Sequence, residues 1–200
     1  NVVGVDIGCG MAMIRLGQMD IDLYSFDRFI HKNIPAGFSV NEDTEHWKKV
    51  PSKLDNPTMS WINKISEKVG QTVNPEKSLG TLGGGNHFIE IDEDEEKNKY
   101  LIVHTGSRNF GLKVCEYHQK KAKALMNEMF IGDAYRNLEF LPFNQGGNDY
   151  IKDMQAAQFY AEVNRELILS RIMTEYFHAD CFEISHCVHN YIGGSTPMIR

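Results

Sequence analysis

The first sixteen residues fall into apolar runs separated by glycines: NVVGVDI, then GCG, then MAMIRL. That alternation predicts a strand, a tight turn and a second strand, with Asp6 and Cys9 at the turn. From Asp22 the spacing changes: Leu23, Phe26 and Ile30 recur at helical intervals and predict a short helix over 22–30, stopped by Pro35. Residues 33–57 are polar, carry three prolines and predict a loop. A second short helix is expected over 61–69, closed by Gly70.

Next comes GTLGGGNHFIEI, residues 80–91, in which three glycines run into an amide, an imidazole and the strand pattern HFIEI. An acidic turn over 92–96 leads to a second strand, YLIV, ending at His104. A simple antiparallel hairpin that pairs Phe88 with Val103 also sets His87 opposite His104, which predicts neighbouring imidazoles. A third helix is expected over 109–130, with Leu112, Cys115, Ala122, Leu125 and Met129 on one side. The longest is expected over 149–177, about 40 Å at the standard rise, with a stripe of Tyr150, Met154, Ala157, Ala161, Ile168 and Ile172. Asn164 interrupts that stripe and marks either a buried polar network or a groove. The segment CFEISHCVHNYI alternates like a strand, which sends Cys187 and His189 to one face and His186 to the other, so that the three cannot share one ion. The sum is an α+β chain, a single compact domain over residues 1–200, without internal repeats.

Composition is that of an ordinary globular chain, 42% hydrophobic and 24% charged in 200 residues, enough for one sizeable core. No apolar run approaches the roughly 18 residues of a membrane span, and no charged-then-apolar leader opens the chain, so the expectation is a cytoplasmic protein with no membrane partner. The four cysteines, Cys9, Cys115, Cys181 and Cys187, lack the density of a disulfide scaffold and suit a reducing compartment. A net charge of -6 argues against a broad basic face for nucleic acid, so any such contact is local. Beginning at Asn1 inside an apolar run and stopping at Met198, Ile199 and Arg200 without a polar tail, the chain reads as a fragment.

The candidate chemistry is a joint occurrence. Glycines 83–85 uncover backbone N–H groups beside Asn86, a cradle for an anion. After His104, HTGSRNFG brings Ser107, Arg108 and a helix N-terminus, which favour bound oxyanions. Asp6 and Cys9 add a carboxylate and a thiol. Softness alone suggests zinc for such a set, and five donors exceed one tetrahedral ion, so two ions sharing the thiolate is the economical count. His31, His46, His118 and His178 read as ordinary hydrogen-bonded residues, Cys115 and Cys181 as small core residues, and the acidic run as a solvated turn rather than a calcium loop.

DIGCGM, GTLGGGNHFIEI, HTGSRNFG, DMQAAQFYAEVNRELI and HNYI, in this order, resemble the RtcB family of GTP-dependent RNA-splicing ligases. The resemblance runs from Asp6 to the end and is weakest over about 20–75. It implies an RtcB-like fold of mixed sheets flanked by helices, truncated at the C-terminus. The implied activity joins RNA 3′-phosphate or 2′,3′-cyclic phosphate ends to 5′-hydroxyl ends, with GTP and two Mn²⁺ ions; an activating protein partner is left open. By position it implies Asp6, Cys9, His87, His104 and His189 as metal ligands, with Cys9 bridging. Asn86, His87, Phe88, Ile89, Glu90, His189 and Asn190 then form part of the guanylate site, and Arg108 meets RNA phosphate. The family's nucleophilic histidine, in a glycine-rich motif after the His-Asn pair, is expected beyond Arg200, which makes this chain inactive in guanylylation. Two other readings stand beside the ligase: a dinuclear metal phosphodiesterase and a non-catalytic metal- and phosphate-binding module.

Overall fold

The computed structural model describes residues 6–45, 54–134, 136, 138–190, 192–193 and 198–199, the last two pairs by their backbone alone. Strand β1 is Gly10–Gly17, β2 Phe88–Glu93, β3 Lys99–Thr105 and β4 Ser185–Val188. They form one antiparallel sheet in the order β2-β3-β1-β4, and β5 (Ile192–Gly193) pairs separately with β6 (Met198–Ile199). The helices are α1 Leu23–Asn33, α2 Asn56–Lys68, α3 Pro75–Ser78, α4 Arg108–Glu128 and α5 Gly147–Glu175. Most of the expected NVVGVDI strand, and His46, lie outside the described residues.

Capping explains where the helices depart from expectation. The Asp22 carboxylate accepts from Tyr24 N at 3.1 Å, and α1 then runs a turn past Ile30 to Asn33. Helix α2 starts five residues earlier than its apolar spacing suggests, because Asp55 accepts from Thr58 N at 2.8 Å and Pro57 is tolerated in a first turn. Gly70, at φ +71°, supplies the left-handed residue after it.

Two apolar cores lie along α5. Its first half packs with α2, α4, Ile7 and Leu79; its second half, through Ile168, Leu169, Ile172 and Met173, covers one face of the sheet at Ala12, Ile14, Leu101 and Val103, with Phe26 of α1. Of the predicted stripe, Met154, Ala157, Ala161, Ile168 and Ile172 are buried. Leu23, predicted on the apolar face of α1, is instead 62% exposed. Cys115 is buried as expected, but Cys181 is exposed: it lies in the irregular segment between α5 and β4, off either core. No helix among the described residues is long and apolar enough to cross a membrane.

The hairpin register differs by one residue from the predicted one. Phe88, not His87, pairs with His104, and Glu93 pairs with Lys99. The turn decides this. Lys97 takes a left-handed φ of +67°, and the Asp94 carboxylate accepts from Asn98 N, Asn98 Nδ2 and Tyr100 Oη at 2.8–2.9 Å. The turn therefore closes over 94–98, and its length sets the pairing of everything beyond it. Since a one-residue slip exchanges faces, Ile89 and Ile91 turn into the core, while Phe88 and Glu90 share the outer face with His104 and Met11.

Candidate metal centre

Five donor side chains meet where the two cores join. Asp6 and Cys9 occupy the turn before β1, and Gly8 at φ +79° lets that turn lie against α5; a β-carbon there would stand 2.9 Å from Ala161 Cβ and Gln158 Cα. His104, the last but one residue of β3, lies on the outer face, diagonal to Cys9, and its Nε2 is 3.2 Å from Cys9 Sγ. His87 belongs to the glycine loop, not the strand, and the loop turns its ring inward. Its Nε2 stands 3.8 Å from Cys9 Sγ and 3.0 Å from Asp6 Oδ2. His189 follows β4; its N–H donates to Cys9 O at 3.1 Å and its ring centre is 5.3 Å from that of His104. The donors form two groups, Asp6–Cys9–His87 and Cys9–His104–His189, each with its ligand atoms within 4.8 Å of one another. Cys9 belongs to both.

The hydrogen bonds fix which ring nitrogens face inward. His87 Nδ1 lies 3.0 Å from Leu82 O and His104 Nδ1 3.0 Å from Asn86 O. A carbonyl only accepts, so each Nδ1 carries the proton and each Nε2 turns a lone pair toward Cys9, as in histidines whose other ring nitrogen is anchored so that the free one can bind a metal. Asp6 is ionised: burial works to raise its pKa, but the contacts with His87 and Cys9 prevail and hold it below the usual carboxylate range. Burial, with Asp6 beside it, pushes the Cys9 thiol up to about 12. Burial, and then the charges of His104 and Arg165, lower the pKa of His189 and favour its neutral, ligating form. Imidazole lone pairs, a carboxylate and a thiol converging on shared points form a set that suits divalent transition-metal cations, whose binding deprotonates a thiol outright.

Around this cluster the chain is held by buried polar bonds. Asn164 makes the network that its place in the stripe suggested: Oδ1 accepts from Thr81 N, and Nδ2 donates to Thr81 O at 3.1 Å and Gly106 O at 3.3 Å. Arg165, absent from the sequence reading, is fully buried and donates through Nη1 to Gly8 O at 2.8 Å and Thr105 O at 2.9 Å. The available signal was its helical phase, four residues from both Ala161 and Leu169. Asn190 donates to Asp6 O at 3.1 Å and accepts from Gly8 N at 2.8 Å.

The glycine run has a second use besides the expected cradle. Gly83, at φ +87°, leaves the space that the Arg108 guanidinium fills, and a β-carbon there would overlap Nη1. Arg108 Nε donates to Thr81 Oγ1 at 2.9 Å and Nη2 to Gly37 O at 2.8 Å. It forms one wall of a cleft of about 540 Å³ that reaches Asp6 and His87 and is also lined by Gly84, Gly85 and the exposed Phe38. Of the remaining residues expected at the site, Phe88 packs tilted against the His104 ring, with ring centres 5.1 Å apart, and Glu90 lies on the same outer face, whereas Ile89 faces the core.

The family model for tRNA-splicing ligase RtcB matches residues 1–194. RNA-splicing ligase RtcB of Escherichia coli K12 is 29% identical over 95% of this chain and 52% of its own length. RNA-splicing ligase RtcB homolog 1 of Entamoeba histolytica is 29% identical over 83% of this chain and 39% of its own length. The tRNA-splicing ligase RtcB of Aeropyrum pernix is 25% identical over 83% and 43%. The chain thus spans about half or less of these curated relatives. With a match over nearly all of its residues, this chain belongs to the tRNA-splicing ligase RtcB family.

Proposed function

We propose that residues 1–200 supply the metal centre and part of the nucleotide site of an RNA ligase that joins RNA 3′-phosphate or 2′,3′-cyclic phosphate ends to 5′-hydroxyl ends with GTP and two Mn²⁺ ions. The observation that carries this reading is the sharing of Cys9 between two donor groups, with the His87 and His104 imidazoles oriented by backbone carbonyls. Asp6, Cys9 and His87 would hold one ion and Cys9, His104 and His189 the other; when bound, the pair supplies charge neutralisation for phosphate and orientation for in-line attack.

The chain's own residues have definable tasks. Arg108, fixed by Thr81 and Gly37, binds a phosphate of the RNA terminus in the cleft. Asn86 and the N–H groups of Gly84 and Gly85 bind phosphate oxygens beside His87. Phe88 and Glu90, next to His104, offer a stacking surface and an acceptor for a guanine base, and Asn190 fixes the backbone of Asp6. The guanylylated histidine comes from outside these 200 residues.

The test is metal analysis of the chain beside its Cys9→Ala variant, with labelled GTP and Mn²⁺ added to each. The reading expects two ions per chain, loss of nearly all metal in Cys9→Ala, and no stable guanylate adduct. A stable adduct would place the nucleophile within residues 1–200. Phosphodiester hydrolysis without GTP would favour the dinuclear phosphodiesterase instead.

A further inference from the structure

Phe38 lines the same cleft as Asp6, His87 and Arg108, yet its ring is fully exposed. An apolar ring in water adds nothing to either core, so packing does not account for it. The backbone that carries it is fixed. Ser39 N–H donates to Ala36 O at 3.1 Å and closes a four-residue turn whose first corner is Gly37, at φ +62°. Gly37 N–H donates to Gly83 O at 2.7 Å, Leu82 N–H to Pro35 O at 2.8 Å, and Gly37 O accepts from Arg108 Nη2 at 2.8 Å. The turn is thereby tied to the glycine loop and to the guanidinium, and Phe38 is displayed one residue from the carbonyl that holds Arg108.

Arg108 itself is held by neutral groups, Thr81 Oγ1 and Gly37 O, although burial at this place disfavours a bare cation. A guanidinium so fixed on the wall of an open cleft suits an anion, and a phosphate there brings its nucleoside with it. Resting on the reading of this cleft as the place of an RNA end, we propose that Phe38 is the stacking platform for the nucleobase of the nucleotide whose phosphate Arg108 binds. The cleft has room for such a group: its volume of about 540 Å³ is that of a small-molecule pocket, and Val40, Val73 and Leu112 add apolar lining beside the polar side chains. Stacking also suits the charge of the chain. At a net charge of -6 there is no broad basic face to grip a phosphate backbone, whereas an aromatic face binds any unpaired base without charge. Phe88, which packs beside His104, is not among the described residues that line this cleft, so the two rings serve different bases.

The experiment measures binding of the full chain to a five-nucleotide single-stranded RNA with a 3′-phosphate, by fluorescence anisotropy of a 5′ label with Mn²⁺ present throughout. The same RNA with an abasic 3′-terminal nucleotide is the comparison. Because the Phe38 ring lies in solvent, Phe38→Ala leaves the fold in place, which urea unfolding checks. The variant should bind the intact RNA roughly 5- to 100-fold more weakly, Phe38→Trp should restore binding, and the abasic RNA should bind wild type and Phe38→Ala equally. Unchanged binding of intact RNA by Phe38→Ala, or an equal loss with the abasic RNA, would overturn the proposal. Failure of the underlying reading would show differently: a 3′-phosphate that can be removed without effect on wild type would sink the assignment of Arg108 to that phosphate, and this inference with it.

Discussion

His118 and His87 each face an aspartate, at 2.6 Å from Asp153 Oδ2 and 3.0 Å from Asp6 Oδ2, yet the two pairs serve different ends. In the first, the neighbouring charge comes from the chain: Lys68 Nζ lies 2.6 Å from Asp153 Oδ1 and joins α2 to α5, while His118 joins α4 to the same carboxylate. The buried His118 Nδ1 has no hydrogen-bond partner among the described residues, so its ring is held by the aspartate and by the packed rings of Tyr117 and Tyr150. In the second, the His87 Nδ1 is tied to Leu82 O, which turns a lone pair toward Asp6 and Cys9. The nearby guanidinium groups are directed to other acceptors than Asp6, that of Arg165 to the carbonyls of Gly8 and Thr105 and that of Arg108 to Thr81 and Gly37. One pair is a staple closed by its own lysine; the other is an arrangement of acceptors suited to a cation from outside. The same two residue types take either role according to what the far ring nitrogen touches.

The largest expected effect falls on the open pair. Cys9→Ala should weaken metal binding by more than the roughly 10–100-fold that an outer-shell change costs, with little loss of fold stability, as read by metal analysis beside urea unfolding. If it retained metal but unfolded, the distinction drawn here between the two pairs would be lost. Asp153→Ala should behave in the opposite sense, leaving metal content unchanged and destabilising the chain by about 3 kcal/mol, the lower end for a broken buried pair because Lys68 reaches water.

Acid sharpens the same contrast. Burial works to raise the Asp153 pKa, but hydrogen bonds and charge from His118 and Lys68 prevail and hold it below its ordinary value. Between the folded value and the unfolded value near 3.9 the unfolded chain binds more protons, so stability rises with pH. The contribution is complete above the unfolded value and disappears as pH falls through the folded one. Asp153→Asn should flatten that limb of a pH–stability curve, and an unaltered limb would assign the acid sensitivity elsewhere.

Asn164→Ala should cost about 2 kcal/mol by leaving Thr81 N–H and two buried carbonyls without their partner. Because Thr81 also receives Arg108, nucleotide or phosphate binding should weaken with it, which a calorimetric titration would detect. Asp27→Asn is the control at the small end. His31 and Asp27 form a third histidine–aspartate pair at 3.5 Å, but both are largely exposed, and the loss should stay within about 0.5 kcal/mol.

Much of the local structure was legible in the residues themselves. The core of α5 follows from apolar spacing, Gly70 marks the end of α2, and the intrusion of Asn164 into an apolar stripe pointed to a buried network. On α4, by contrast, only Cys115 and Ala122 of the expected face are buried and Met129 is exposed, because Phe110, Val114 and Met126 carry the contact instead. The five donors were nameable through the family resemblance, residue by residue along its motifs. Their mutual positions were not. Register fixed at a left-handed Lys97 moved His104 opposite Phe88, and only the bend of the glycine loop outside the strand returned His87 to Cys9. The exposure of Cys181 and the burial of Arg165 were equally out of reach, since each depends on which distant segment lies over it.

By itself the sequence determined periodicity, and with it which elements form, where they stop and which of their faces are apolar, because those depend on neighbours within a few residues. Tertiary structure decided which faces meet. His87, His104 and His189 reach Cys9, and His186 reaches α5 instead, because sheet pairing and packing against one long helix bring together residues distant in the chain, 78 and 95 positions for His87 and His104, and no local propensity carries that information.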